Sequence, residues 1–226
     1  MIELGKADSV FEVIGPIMIG PSSSHTAAAV RMGQITSALL KKPVKKAVVS
    51  LHGSFASTGK GHGTDKAIAA GLLGFDPADE RIKNALKIAE EEGMDIQFRI
   101  VDLGDDYHPN TSRLEVEDEY RNSLVVTASS LGGGTISVVE INGLEIELSG
   151  EYDTLITIHR DKPGIVAKAT TIIAEYDVNI SSMKVTRERR GGQAIMAVEM
   201  DHSLPPEAIE KLEKIADTVR VIPPIY

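Results

Sequence analysis

The 226-residue chain has no cysteine and no tryptophan, and only four phenylalanines and five tyrosines. Without thiols it can form no disulfide, no thiolate zinc site and no cysteine-held iron–sulfur cluster of its own. With so few rings it lacks stacking platforms for single-stranded nucleic acid, and its core must be built from Ile, Val, Leu, Met and Ala. Positive charge is also short. Lys and Arg number 24 against 33 Asp and Glu, a formal net charge of −9, whereas general nucleic-acid binding needs a basic surface. No run of about 18 apolar residues occurs, and no basic N-terminal segment leads into an apolar core; no membrane association and a cytoplasmic location are expected. What remains, 42% hydrophobic and 25% charged residues, is ordinary globular composition, and the length suits one large or two small domains.

Two polar, histidine-bearing segments stand out. The first, Gly20-Pro21-Ser22-Ser23-Ser24-His25-Thr26, runs into the alanine-rich stretch Ala27 to Leu40; the second, Gly59-Lys60-Gly61-His62-Gly63-Thr64-Asp65, runs into Lys66 to Leu73. Both read as loops that open helices. Helix starts carry unpaired amide donors and partial positive charge, so such loops suit a small anion such as a carboxylate. Neither histidine has the neighbours of a metal cage or a self-sufficient triad. No metal ligand is assigned on this chain, and the missing chemistry is expected on another.

Around these segments the pattern is mixed. Ala28, Met32, Ile35 and Leu39 recur at helical spacing from His25 to Leu40, and Lys45 to Ser50 reads as a strand. Asp76-Pro77-Ala78-Asp79 has the composition of a helix start; Ile82, Leu86 and Ala89 mark its face, and Gly93 closes it. Strands are expected near 96–101, 113–119, 124–131, 135–141 and 145–148, with Asn142-Gly143 as a two-residue hairpin turn. Gly132-Gly133-Gly134 is a turn or a place of close backbone approach. A boundary is placed at Ser149-Gly150. Beyond it come strand 154–159, helix 165–176, strands 178–186 and 193–200, helix 205–216 and strand 218–222, the βαββαβ order of a ferredoxin-like unit. The fold class is therefore α+β: an N-terminal α/β domain over 1–149, then a ferredoxin-like domain over 150–226.

The C-terminal unit resembles an ACT domain, through His159-Arg160-Asp161-Lys162-Pro163-Gly164-Ile165 and the later Asn179. That resemblance makes His159, Asp161, Gly164, Ile165 and Asn179 candidate effector contacts across a dimer interface; pairing without ligand is the other reading. The first 150 or so residues resemble the β subunit of the two-chain, iron–sulfur-dependent L-serine dehydratases. Three segments carry this: Gly20 to Thr26; His52-Gly53-Ser54 with Thr58 to Asp65; and Asn110-Thr111 after Tyr107-His108-Pro109. The same fold is found, without these loops, in a regulatory domain of some phosphoglycerate dehydrogenases.

The resemblance implies conversion of L-serine to pyruvate and ammonia, with a [4Fe-4S] cluster held by a cysteine-bearing α subunit rather than by this chain. It makes His62 the base for the α-proton, since an imidazole titrates near neutrality, with Asp65 orienting it or capping the next helix. Ser24, His25 and Thr26, with Ser22 and Ser23 behind them, become the carboxylate contacts; Ser54 and Asn110 are further substrate contacts. Partners are then the α subunit, L-serine and a second copy of the chain, paired through either domain. The alternative is a non-catalytic amino-acid sensor. His52, His108 and His202 are read as structural.

Overall fold

The computed structural model describes residues 16–226. Residues 23–27 form one π-helical turn that continues into α1 (Ala28–Leu40); β1 (Lys46–Leu51) follows, then two short helices, α2 (Gly53–His62) and α3 (Thr64–Leu72). A 3₁₀ turn at Glu80–Asn84 leads into α4 (Ala85–Glu91) and β2 (Asp95–Ile100). The meander β3 (Thr111–Glu117), β4 (Ser123–Gly132), β5 (Thr135–Ile141) and β6 (Leu144–Leu148) completes a sheet of order β2-β1-β3-β4-β5-β6. Only the β1–β2 pair is parallel, because only there does a helical crossover return the chain in the same direction. The helices cover one face, where Val49, Leu114, Val126 and Ala128 are fully buried against α1.

The second sheet holds β7 (Asp153–Arg160), β8 (Ile180–Arg187), β9 (Gln193–Met200) and β10 (Thr218–Ile222) in the order β10-β7-β9-β8, with α5 (Ile165–Glu175) and α6 (Pro206–Glu213). This is the antiparallel βαββαβ arrangement. Leu155, Met196, Val198 and Met200 face its helices. Much of the opposite face is covered as well: Ile156, Ile195, Ala197 and Ile222 belong to the same apolar cluster as Ile35 and Leu39 of α1. Polar ties reinforce the junction. Arg220 donates to the Leu39 carbonyl at 3.0 Å, and buried Glu199 accepts from the Ser149 amide, the Ser149 hydroxyl and the Ser182 hydroxyl, each at 2.8 Å. Further along, the Arg31 guanidinium lies 3.8 Å over the Tyr226 ring and donates to the Gly134 carbonyl at 2.6 Å. Among the described residues, no helix is long and apolar enough to cross a membrane.

The outline agrees with the sequence pattern, and three local readings change. The glycine-rich segment 59–65 is not a loop: it is the last turn of α2, a left-handed Gly63 (φ 72°) and the first turn of α3, which begins at Thr64 rather than Lys66. The helix expected from Asp76 starts later. Asp79 is the capping residue, its carboxylate accepting from the Arg81 amide at 2.9 Å, and the first turn is 3₁₀. Finally, α1 is entered through a π turn rather than directly from His25.

One crossing positions the rest. Gly71 of α3 sits on Val30 of α1, where a methyl group would fall on the Val30 carbonyl, and a methyl on Gly33 would lie 2.6 Å from the Ile68 carbonyl. Backbones this close admit no side chain between them. We expect Gly71→Ala to lower stability by about 3 kcal/mol through overpacking, read as the urea midpoint; an unchanged midpoint would show that the helices part easily.

Candidate functional site

The α1–α3 crossing brings the start of α1 against the α2–α3 corner. Thr64 Oγ1 donates to the His25 carbonyl at 3.1 Å, and Thr26 Oγ1 donates to the His62 carbonyl at 3.4 Å. The two imidazoles consequently lie side by side, ring centroids 4.8 Å apart, with Phe55 edge-on to His25 at 5.1 Å. Gly53 (φ 55°) starts α2 where the Pro109 carbonyl comes so close that a Cβ would lie 2.5 Å from it. The Ser54 amide donates to the same carbonyl at 2.7 Å, which anchors the segment carrying Asn110 beside α2.

Because 53–62 is helical, Ser54, Thr58 and His62 fall at i, i+4 and i+8 on one stripe of α2. His62 Nδ1 lies 3.0 Å from the Thr58 carbonyl, and a carbonyl only accepts, so Nδ1 carries the proton. Nε2 is then the bare nitrogen, available as a base. The partner that fixes this tautomer is a main-chain oxygen rather than Asp65, whose carboxylate instead accepts from the Lys66 amide at 2.8 Å in the first turn of α3.

His25 is 9% exposed. Burial pushes its pKa below the ordinary 6.5, and the neighbouring His62, a potential like charge, pushes it the same way. Its Nε2 contacts Thr58 Oγ1 at 3.0 Å and Ser54 Oγ at 3.4 Å, and its Nδ1 meets Ser22 Oγ at 3.4 Å. Ser22 also caps the π turn, accepting from the His25 amide at 3.3 Å.

The expected carboxylate cradle is thereby narrowed. Ser22, His25 and Thr26 are engaged internally, whereas the Ser23 and Ser24 hydroxyls make no hydrogen bond among the described residues and are half-buried. Asn110 Oδ1 is buried with no partner, and so are the Ser112 and Ser130 hydroxyls. The Ser130 amide donates to the Asn110 carbonyl at 2.9 Å, and β4 packs on the π turn. Buried polar atoms are ordinarily paired, so these three mark a place for water or ligand. The sequence gives no site role to Thr58, although it opens a segment that carries the resemblance, nor to Ser112 and Ser130. The signal for Thr58 was its spacing of four from both Ser54 and His62, hidden by the reading of 59–65 as a loop. Ser112 and Ser130 lie on strands and have no motif to announce them. His52 and His108 are structural, their Nδ1 atoms accepting from the Leu103 amide at 3.2 Å and the Asn110 amide at 3.1 Å.

In the second domain the five expected effector contacts do not converge. His159 is 2% exposed and paired with Thr157 Oγ1 at 3.2 Å. Asp161 accepts from Arg187 at 2.9 Å and from the Gly191 amide at 3.0 Å. Asn179 donates to Asp201 at 2.9 Å. Gly164 (φ 89°) and Ile165 open α5 and stay accessible. The ladder pairs Arg160 with Gln193 at one end and Asp153 with Met200 at the other. Asp161 and Gly164 therefore lie at the opposite end of the sheet from Asn179, which precedes β8 beside Asp201.

Against this geometry the comparisons with known proteins are decisive. The chain is 44% identical over 216 residues to the probable L-serine dehydratase β chain of Bacillus subtilis, covering 96% of this chain and 97% of that one. It belongs to the L-serine dehydratase β-chain family. The family described as serine dehydratase beta chain matches residues 9–97, and the ACT domain family matches 154–217. The L-serine dehydratase β chain of Peptoniphilus asaccharolyticus is 38% identical over 196 residues, covering 87% of this chain and 88% of that one. D-3-phosphoglycerate dehydrogenase of B. subtilis is 28% identical over 193 residues, covering 84% of this chain but 36% of its own length. The histidine pair thus sits inside the segment that the family model matches.

Both His25 and His159 are held below 6.5 by burial when folded. The unfolded chain therefore binds more protons once pH drops past about 6.5, and stability is full above that pH and lost below it. We expect the unfolding free energy to decline as the pH falls below about 7. A His25→Gln, His159→Gln double variant should show a shallower decline in urea titrations, and an unaltered slope would contradict the assignment.

Proposed function

We propose that this chain is the proton-handling and carboxylate-binding half of an L-serine dehydratase, a carbon–oxygen lyase inactive without a cysteine-bearing α subunit. The observation that carries this reading is the 3.0 Å contact of His62 Nδ1 with the Thr58 carbonyl, which leaves Nε2 as the bare nitrogen, together with two serine hydroxyls that make no hydrogen bond among the described residues. Serine's α-proton passes to His62 Nε2. The Ser23 and Ser24 hydroxyls, with amides of the π turn, hold the carboxylate, and Asn110 with Ser54 borders the remaining polar end. Loss of the proton and of the β-hydroxyl gives aminoacrylate, which hydrolyses to pyruvate and ammonia.

Hydroxide leaves poorly unless an electrophile takes it. This chain has no cysteine, and no cluster of three or more potential metal ligands occurs among the described residues. A [4Fe-4S] cluster does not fit the donors here. It is assigned to the α subunit, where it would act as the Lewis acid. Shallow exposure supports the same division, because Thr58 and Gly61 are open to solvent and His62 is only half-buried. A second chain is needed to exclude water.

We further assign residues 1–149 to catalysis and 150–226 to an ACT unit that pairs with a second copy, in a cytoplasmic enzyme. The separation of Asn179 from Asp161 and Gly164 favours pairing, since an effector touching both ends needs two chains. Sedimentation at micromolar concentration tests this, a dimer being expected and a monomer contradicting it.

In the anaerobically assembled two-chain enzyme, His62→Ala should lower serine turnover by about 10²- to 10⁴-fold, whereas Asp65→Asn should cost under about tenfold. Unchanged pyruvate formation in the His62 variant would remove that residue from the mechanism.

A further inference from the structure

One turn of α2 governs both imidazoles. Thr58 has a single hydroxyl proton, and it goes to the Ser54 carbonyl at 2.8 Å, an oxygen that can only accept. Thr58 Oγ1 must therefore accept from His25 Nε2–H at 3.0 Å. With Nε2 protonated, neutral His25 leaves Nδ1 bare, and the Ser22 hydroxyl turns its proton to it at 3.4 Å. The protons run one way, from Ser22 to His25 to Thr58 to the Ser54 carbonyl.

We propose that Thr58 is a positioning residue whose hydroxyl sets the His25 tautomer and, through it, the direction in which Ser22 donates. This rests on reading His62 as the base and the π turn as the carboxylate site. His25 is then a fixed strut between the cradle and α2 rather than a second base. Ser22 points its proton inward and offers a substrate carboxylate none, which leaves recognition to Ser23, Ser24 and the turn's amides. Reversing the relay would aim His25 Nδ1–H at Ser22 and free the Ser22 proton toward the ligand. Thr58 acts through His25, whose ring its hydroxyl holds at 3.0 Å. The His62 tautomer is independent of the hydroxyl, because a main-chain carbonyl holds it.

The test uses the full chain labelled with ¹⁵N-histidine, comparing wild type with Thr58→Val and Thr58→Ser. Long-range nitrogen–proton spectra report which ring nitrogen of His25 carries the proton, without any turnover. Wild type should show His25 protonated at Nε2. Thr58→Val should move the proton to Nδ1, wholly or in part, while His62 stays Nδ1-protonated, and Thr58→Ser should restore the wild-type pattern. In the assembled enzyme, the loss in Thr58→Val should fall mainly on KM for serine, raised by about fivefold, the scale of one neutral hydrogen bond, with recovery in Thr58→Ser. Unchanged His25 nitrogen shifts in Thr58→Val, or no recovery in Thr58→Ser, would overturn the proposal. A Thr58-dependent His25 tautomer in a chain whose assembled wild type forms no pyruvate would uphold the relay and overturn the dehydratase reading instead.

Discussion

Everything at the site depends on the glycine-rich segment before Gly63 being helical. Glycine is a poor helix former, costing about 1 kcal/mol per residue against alanine, and α2 contains Gly53, Gly59 and Gly61. Tertiary packing overrides that preference. Gly59 is buried where a Cβ would stand 3.2 Å from Thr64, and Phe55 of the same helix is fully buried. Once the turn is helical, the Thr58 carbonyl lies under His62 and the Thr58 hydroxyl under His25. A disordered loop of the same composition would hold neither ring in one tautomer.

The helix crossing is the second requirement, and it acts at a distance. Gly33 and Gly71 let α1 and α3 touch along their backbones, and that contact draws the π turn to the α2–α3 corner. A π turn widens the spacing of side chains at the entrance to α1, and such turns often occur where a helix serves a ligand. Here it lets Ser22 and Thr26 close inward on His25 and His62, while Ser23 and Ser24 make no side-chain hydrogen bond among the described residues. The ACT sheet joins the same core through Ile156 and Ile222.

Much of this was legible in the amino acids. Asn142-Gly143 announces its hairpin because both residues adopt positive φ, 51° and 79°, which few other pairs tolerate. Alternation at Ala194, Met196, Val198 and Met200 gives β9 its helix-facing side. Pairs of histidines with small hydroxylated neighbours point to anion and proton chemistry. What stayed hidden was decided by tertiary context. Local rules read Gly59 to Gly63 as a loop and favour Asp76-Pro77 as the helix start, whereas the carboxylate that caps the turn is that of Asp79, on the Arg81 amide. No periodicity shows that Ser22 and Thr26 are spent on internal bonds, or that Asp161 and Asn179 lie at opposite ends of one sheet.

The proposed division of labour between this chain and a cysteine-bearing partner is tested most directly by pyruvate formation from L-serine in three preparations: this chain alone, the cysteine-bearing chain alone, and the two mixed without oxygen. Turnover is expected from the mixture only. Pyruvate from this chain by itself, or full activity of the cysteine-bearing chain without it, would contradict the assignment of base and carboxylate cradle to these residues.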